Sequence, residues 1–244
     1  MARAAKAYGC RAVATCCLET GILALGHTCE TLGLPGPSIR AAECSLDKLA
    51  MHEAFEAAGV RAAGFRRLES HADLDAAISS LGFPLVVKAV DLQGSKGVFV
   101  TRSPEEAHEA LDQVLGLTKR GYCLAEEFVD GRSFCAEAFV QHGDVLFVLP
   151  DGNLTISNPG RPAIPIGHYM PFDESPEVLD RIDREVRRAI AACGIDDCAV
   201  NMDLILREGE PYIIELTARA GATCLPELIG LYFGVDYYRM ILRS

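Results

Sequence analysis

The residues best suited to chemistry are two acids, Asp203 and Glu215, in the segment 198–217. Two apolar runs in this segment flank a short polar turn around Gly209, a pattern that predicts a β-hairpin. A three-residue turn at 208–210 places Asp203 opposite Glu215. Directly opposed Cβ atoms lie about 5 Å apart, so the two carboxylates repel each other unless a cation joins them. The expected partner is a hard divalent cation such as Mg²⁺, which takes oxygen ligands and commonly carries substrate phosphates.

The same register places Leu204 opposite Ile214 and Met202 opposite Leu216. The residues predicted to face the core are Met202, Leu204, Leu206, Tyr212, Ile214 and Leu216. The opposite face carries Asp203, Glu215 and Thr217. A two-residue turn would set Asp203 against Ile214 and mix the two faces, which a half-buried sheet disfavours. Taken alone, the segment is equally compatible with a solvated hairpin face that carries ordinary surface acids.

Three cations could serve an anionic ligand. Arg219 follows the hairpin and offers a planar guanidinium suited to phosphate or carboxylate. Lys48 lies in the first turn of a helix that Ser45 is expected to cap and Gly59 to end, a position where a cation opposes the helix dipole. Lys88 interrupts an apolar strand at 83–90, and a buried ammonium needs an anionic partner. A solvated lysine remains the alternative for Lys48.

A glycine-rich loop, residues 91–97, follows Lys88. Gly94 and Gly97 flank Ser95, so the backbone can approach a ligand and successive N–H groups can bind an anion. The loop is not a Walker A sequence, and the chain has no Gly-x-Gly-x-x-Gly fingerprint. A plain hairpin turn is the alternative interpretation.

The remaining elements that must position these groups form an alternation of strands and capped helices. Ser70, Ser103 and Ser175 each begin a helix, ending near residues 81, 117 and 193 respectively. A further helix is predicted at 21–32. Strands are predicted at 11–18, 60–68, 98–100, 122–128, 132–141 and 145–149. Residues 150–174 are predicted to be a long loop that is functional or mobile, and its chemical groups are Arg161 and His168. His168 could reach the phosphates, but a structural or surface histidine is the favoured interpretation.

Composition excludes several classes of protein. The chain has 244 residues and a net charge of −11, and no Lys/Arg cluster stands out, which argues against a nucleic-acid binder. No apolar run approaches 18 residues and no secretory pattern is present, so we expect neither a membrane protein nor a secreted one. Ten scattered cysteines without a Cys-x-x-Cys pair favour buried thiols in a reducing cytoplasm over disulfides or zinc ligands.

The motifs in their order along the chain resemble the ATP-grasp superfamily, and the resemblance covers about residues 30–240. Gly94 to Val98 and Gly167 to Pro171 look most like the amino-acid ligase branch. The resemblance implies an α+β fold in which two α+β lobes clamp ATP. The implied domains are a remnant of an N-terminal α/β domain at 1–44 and lobes at 45–120 and 121–244. The chain thus resembles a core fragment or a shortened paralogue.

The resemblance also implies roles for particular residues. The triphosphate would be bound by Lys48, Lys88 and the loop residues Gly94, Ser95 and Gly97. The linker residues Glu126, Glu127, Phe128 and Val129 would surround adenine, and Asp203, Glu215 and Thr217 would bind Mg²⁺. Thr217 stands where the family has asparagine, and Asn201 is a candidate substitute. Ser133 stands where the family has an acid that binds ribose, and Glu137 is the candidate for that role.

These expectations point to an ATP-dependent carboxylate–amine (or thiol) ligase that forms an acyl-phosphate. Lys88 and Arg219 would stabilise the transferring group, with ATP and Mg²⁺ as cofactors and a small carboxylate and amine as substrates. Two alternatives remain open. One is a nucleotide-binding ATP-grasp module without ligase activity, and the other is a metal-free structural or interaction protein.

Overall fold

The computed structural model describes residues 1–156 and 164–243 and contains two antiparallel sheets with helices packed against them. The helices are α1 (Ala2–Ala7), α2 (Ile22–Leu32), α3 (Ile39–Leu46), α4 (Lys48–Ala58), α5 (His71–Leu81), α6 (Pro104–Leu117), α7 (Pro176–Cys193), α8 (Leu225–Phe233) and α9 (Tyr237–Ile241). The strands are β1 (Phe65–Leu68), β2 (Leu85–Ala89), β3 (Val98–Thr101), β4 (Cys123–Glu127), β5 (Arg132–Gln141), β6 (Asp144–Ile156), β7 (Ile164–Tyr169), β8 (Cys198–Arg207) and β9 (Glu210–Thr217).

The first lobe is a four-stranded sheet of order β1-β4-β2-β3, against which α5 and α6 pack. Both helices begin as predicted, because the Ser70 and Ser103 hydroxyls accept the N–H groups of Asp73 and Glu106. β4 completes this sheet although it lies beyond the predicted lobe boundary at residue 120. The sheet therefore holds the β2–β3 loop at its end, where the loop can face the second lobe.

The second lobe is a five-stranded sheet of order β7-β6-β5-β8-β9, with α7 on one face. Side chains alternate along β5: Phe134, Ala136 and Ala138 join the core beneath α7. Cys135 and Glu137 therefore project from the opposite face. α3 and α4 pack into the same core, so α4 belongs to this lobe by its apolar contacts. Polar residues needed for chemistry are left on the face that α7 does not cover.

The start of α4 differs from the prediction. Asp47, not Ser45, is its N-cap, with the Asp47 carboxylate accepting the N–H of Leu49. Ser45 lies in α3, where its hydroxyl donates to the carbonyl of Ala41. The helix still ends at Gly59, and Lys48 is still in its first turn, as predicted. The prediction failed because Ser45 and Asp47 are both good caps, and Asp47 is the single residue between two consecutive helices.

The hairpin of β8 and β9 confirms one part of the prediction and corrects another. Asp203 lies opposite Glu215, as expected. The turn, however, contains only Glu208 and Gly209, both with positive φ (53° and 77°), the conformation that suits a tight two-residue hairpin. A β-bulge after Asp203 compensates for the shorter turn and restores the opposition of the two acids.

Because of the bulge, the core-facing residues of β9 also differ from the prediction. Leu204 pairs with Ile213 rather than Ile214. Ile213 and Pro211 are buried, whereas Tyr212 and Ile214, predicted to face the core, are only half-buried. Regular alternation along the hairpin predicted the wrong core-facing residues for β9, because a bulge moves the side chains on one side of it to the opposite face.

Two further segments differ from expectation. No strand forms at 11–18, which is an irregular connection between α1 and a 3-10 turn at Glu19–Gly21 before α2. The predicted loop 150–174 is partly sheet, because β6 continues to Ile156 and β7 follows. Arg161 lies outside the described residues. All ten cysteines are free thiols, and none of the described helices has the length and apolar character needed to span a bilayer.

Candidate functional site

A cavity of about 120 Å³ lies where the β2–β3 loop of the first lobe meets the polar face of β8 and β9. It is lined by Glu19, Gln93, Gly94, Asn201, Asp203, Glu215, Thr217 and Arg219. Six of these were singled out from the sequence for metal or phosphate chemistry. Gln93 and Glu19 were not.

The predicted acid pair lies at the base of this cavity with a lysine beside it. The Lys48 ammonium is 2.9 Å from a Glu215 carboxylate oxygen and donates to the carbonyl of Leu92 at 3.1 Å. Burial opposes ionisation of Glu215, but the nearby charges, Lys48 first, hold its pKa below the usual value. Asp203 opens onto the cavity, yet loss of water around it and the Glu215 charge raise its pKa to about 6.

Lys88 lies in an apolar strand and has a buried anionic partner, as the sequence predicted. Its ammonium lies 2.6 Å from Glu126, and the ring of His52 contacts the same carboxylate oxygen at 2.7 Å. All three residues are almost completely buried. Burial disfavours the Glu126 anion, but the charges of Lys88 and His52 and their hydrogen bonds outweigh it and lower the pKa of Glu126 to about 2. Glu126 thereby gives Lys88 a buried counter-ion, and the Lys88 charge also contributes to lowering the pKa of Glu215.

The glycine-rich loop has the backbone its composition predicted. Gly94 and Gly97 have φ values of 63° and 65°, and Ser95 shares this left-handed conformation at 59°. A Cβ on Gly97 would also lie 3.2 Å from the Ala89 side chain, so this position needs glycine for both conformation and space. Gly94 lines the cavity, which puts loop backbone beside the acid pair.

The four predicted linker residues, 126–129, make different contacts in the structure. The Glu126 carboxylate is bonded to Lys88 and His52 rather than being open to a ligand. The N–H groups of Glu127 and Phe128 donate to backbone carbonyls of the first lobe, at 2.8 and 3.3 Å. Val129 is buried. An adenine contact at this linker would therefore have to use groups other than these two N–H donors.

Glu137 does not have the environment of a ribose-binding residue. It is fully buried, and its oxygens contact the side-chain amide of Asn201 (2.7 Å), the N–H of Gly221 (3.0 Å) and the Tyr237 hydroxyl (3.1 Å). Burial raises its pKa to about 8. These partners contact both carboxylate oxygens of a buried side chain, which argues against the ribose role predicted for Glu137. Glu137 instead orients Asn201, which also accepts from Arg219 at 3.1 Å.

Arg219 has an acidic partner that the sequence did not reveal. Its guanidinium donates to the Glu19 carboxylate at 2.5 Å, across 200 positions of the chain, and both side chains are about nine-tenths buried. Glu19 precedes α2, where an acid is ordinarily explained by the helix dipole. No local signal distinguishes it from such an acid, and only the fold brings it to Arg219.

A family model of the phosphoribosylglycinamide synthetase ATP-grasp (A) domain matches residues 46–223, most of the chain. The chain belongs to the ATP-grasp family. The predicted resemblance and the predicted α+β fold are therefore both confirmed. The match spans every predicted phosphate and metal residue of this ATP-grasp chain, from Lys48 to Arg219.

Individual relatives agree with this membership. Alanine–anticapsin ligase of Bacillus subtilis (strain 168) is 27% identical over 260 residues, covering 98% of this chain and 55% of the relative. The solved phosphoribosylglycinamide synthetase from Anaerococcus prevotii has a TM-score of 0.79 and 40% identity, covering 99% of this chain and 61% of that one. L-amino acid ligase from Bacillus licheniformis shares the fold at a TM-score of 0.81 with 24% identity, and 57% of it is covered. The ATP-grasp chain spans little more than half the length of these proteins.

Proposed function

We propose that this chain is an ATP-dependent carboxylate–amine (or thiol) ligase that works through an acyl-phosphate. The observation that carries the proposal is one cavity in which the Asp203–Glu215 pair, the glycine-rich loop and Arg219 converge within an ATP-grasp fold. The relatives named as ligases and synthetases support the same reaction type.

The donor set fits Mg²⁺, because Asp203 and Glu215 present carboxylate oxygens from directly opposed positions and Thr217 adds a hydroxyl on the same face. These three residues would hold the ion, which when bound would offset the charge of the ATP phosphates. Lys48 and Lys88 would bind the triphosphate, with Lys88 held in place by Glu126. The loop residues Gly94, Ser95 and Gly97 would supply backbone N–H groups above it.

The reaction would proceed in two displacements. An oxygen of the substrate carboxylate attacks the γ-phosphorus of ATP, and ADP leaves with the electrons of the broken P–O bond. The amine nitrogen then attacks the acyl carbon, inorganic phosphate leaves, and the nitrogen loses a proton. Arg219 would stabilise negative charge on the transferring phosphoryl group and on the acyl-phosphate.

The Glu19–Arg219 pair favours an amino acid as the acyl substrate. It places a carboxylate and a guanidinium side by side at the cavity wall. An α-amino acid carries the complementary charges on neighbouring atoms, so its carboxylate would bind Arg219 and its ammonium Glu19. A substrate with a carboxylate but no ammonium would bring a second anion beside Glu19 without a charge to offset it.

One observation favours the alternative of a nucleotide-binding module without ligase activity. Thr217 stands at the position of the expected asparagine, and the candidate substitute Asn201 already bonds to both Glu137 and Arg219. The amide of Asn201 is thus committed to the protein. If this departure removes catalysis, nucleotide and Mg²⁺ binding would survive while phosphate release would not.

The test is ATP-dependent phosphate release with a panel of paired amino acids, for the wild type and for Glu215→Gln. We expect release in the wild type and its loss, by about 100-fold or more, in the variant, because the variant lacks one of the two opposed anionic ligands. Glu210→Gln is the matched control, since Glu210 lies on the same strand but pairs with surface arginines.

This experiment distinguishes the ligase from the nucleotide-binding module without ligase activity. Tight binding of ATP and Mg²⁺ by calorimetry, with no phosphate release across the whole panel, would support the binding module and overturn the ligase. Wild-type rates in Glu215→Gln would overturn the assignment of the acid pair.

A further inference from the structure

A second cluster of metal-type ligands lies on the same sheet face, one strand away from the acid pair. Cys135 of β5 lies opposite Asp203 on one side and opposite Asp151 on the other. His168 of β7 lies next to Asp151, with its Nδ1 atom 2.9 Å from an Asp151 oxygen. The cysteine sulfur, a carboxylate oxygen of Asp151 and a ring nitrogen of His168 all lie within 4.8 Å of one another. Neither phosphate binding nor the acid pair uses these residues.

His168 contributes a ring nitrogen to this cluster. Its Nδ1 atom lies 2.9 Å from a carboxylate oxygen of Asp151, and its Nε2 atom lies 2.8 Å from the hydroxyl oxygen of Thr223. A metal ion bound at Nδ1 would take the place of the proton shared with Asp151. The contact with Thr223 would then hold the second ring nitrogen, as a hydrogen bond ordinarily does in a metal-binding histidine.

The Asp151 carboxylate could accept a further ligand. Asp151 is completely buried, and its second oxygen, Oδ1, has no hydrogen-bond partner among residues 1–156 and 164–243. A buried acceptor without a partner costs free energy. Coordination of a metal ion would satisfy this oxygen.

The donor set indicates which class of ion would bind. A thiolate and an imidazole are ligands for Zn²⁺ and similar thiophilic ions, not for Mg²⁺. With bond lengths of about 2.3 Å to sulfur and about 2.0–2.2 Å to nitrogen and oxygen, tetrahedral ligands lie roughly 3.3–3.7 Å apart. The Cys135 sulfur is 3.2 Å from an Asp203 oxygen, which puts a fourth ligand within reach. Small side-chain movements would complete a four-ligand site.

We propose that Cys135, Asp151 and His168, with Asp203 as fourth ligand, bind a thiophilic divalent ion such as Zn²⁺, and that this ion inhibits the enzyme by withdrawing Asp203 from the acid pair. Binding would convert the Cys135 thiol to a thiolate, with its proton passing to solvent. The proton between His168 and Asp151 would leave in the same way. The inhibitory part rests on the proposed function, whereas ion binding does not.

Binding can be measured directly with Co²⁺ as an optical probe of thiolate coordination, on the full chain without nucleotide. The starting protein carries Cys10→Ser and Cys224→Ser, which removes the two exposed thiols. We expect saturable Co²⁺ binding with a thiolate charge-transfer band, and displacement by Zn²⁺. Adding Cys135→Ser should abolish the band at this site, and His168→Gln should weaken binding by about 10-fold or more. His142→Gln, a change at an exposed histidine in a hairpin turn, is the matched control and should change neither.

Several results would overturn the proposal. An unchanged thiolate band after Cys135→Ser would show that another cysteine binds the ion, and absence of saturable binding in the starting protein would show that there is no site. Thermal unfolding guards against misfolded variants: Zn²⁺ should raise the melting temperature of the starting protein but not that of the Cys135→Ser variant.

Activity provides the second arm of the test. Zn²⁺ should inhibit phosphate release in the starting protein, and Cys135→Ser should relieve this inhibition by about 10-fold relative to its own zinc-free rate. Equal inhibition of both proteins would overturn the inhibitory part. If Co²⁺ binds as expected but no phosphate is released under any condition, the failure lies in the proposed ligase function and not in the metal site.

Discussion

Replacing Glu126 by glutamine tests the claim that the buried triad of Lys88, Glu126 and His52 is held together by charge. Glutamine keeps the size of the side chain and one acceptor oxygen but removes the negative charge. The Lys88 ammonium would then be buried without a counter-ion. In the wild type, the Glu126 carboxylate lies 2.6 Å from Lys88 and 2.7 Å from His52.

Two independent arguments give the same magnitude for the loss of stability in Glu126→Gln. Removing one partner of a buried ion pair typically costs about 3–5 kcal/mol. The pKa of Glu126 is lowered from 4.5 to about 2, and at about 1.4 kcal/mol per unit this corresponds to roughly 3 kcal/mol of stabilisation at neutral pH. Glu126 is almost completely buried, so solvent screening does not reduce this figure greatly.

The pH dependence has a definite sign. The folded-state pKa of Glu126 lies below its ordinary value of 4.5, so the stabilisation is complete above pH 4.5 and is lost as the pH falls towards 2. Linkage gives a loss of about 2 kcal/mol for the wild type between about pH 5.5 and pH 3 that the glutamine variant should not show.

The assay is urea denaturation at several pH values for the wild type, Glu126→Gln and the control Glu127→Gln. Glu127 is the next residue, but its side chain is 45% exposed and pairs with Arg207 at 3.3 Å, so its loss should cost less than about 1 kcal/mol. Parallel stability curves for the wild type and Glu126→Gln down to pH 3 would refute the reasoning, as would equal destabilisation by the two variants at pH 7.

Three further predictions follow from the site. Gly221→Ala should destabilise the chain by about 1–3 kcal/mol, because its Cβ would lie 2.4 Å from the fixed Glu137 carboxylate, whereas Gly116→Ala, in open space on α6, should be neutral or stabilising when both are measured by urea denaturation. Glu137→Gln should remove a fall in stability of about 3 kcal/mol between pH 5 and pH 7.5, since a pKa raised from 4.5 to about 8 means that only the unfolded chain releases the proton in that range; unchanged pH slopes in denaturation curves would contradict this. Glu19→Gln should raise the KM for the amino acid by about 10-fold while the Kd for ATP from calorimetry stays the same, and an equal change in both constants would argue against an ammonium contact.

Much of the fold was predictable because its signals are local. Ser70, Ser103 and Ser175 cap helices where the sequence predicts them, since a cap depends only on a hydroxyl and the next few N–H groups. The opposition of Asp203 and Glu215 was also predictable, although the route to it was wrong. The prediction missed both the two-residue turn and the β-bulge, and their effects on the register cancel at this pair. The requirement that one face of the sheet be apolar predicted the correct pairing of the acids, but it did not predict the length of the turn.

The sequence by itself determined the residue types, the strand and helix pattern and the pairing of the two acids, because each depends on neighbours in the chain or on alternation along one hairpin. Tertiary structure alone decided that Glu19 binds Arg219, that Glu126 neutralises Lys88, and that Cys135 lies between two acids. Partners of this kind are many residues apart, and a buried charge specifies only that some counter-charge must reach it. Which residue does so depends on how the sheets and helices pack, and that information is not carried by any single segment.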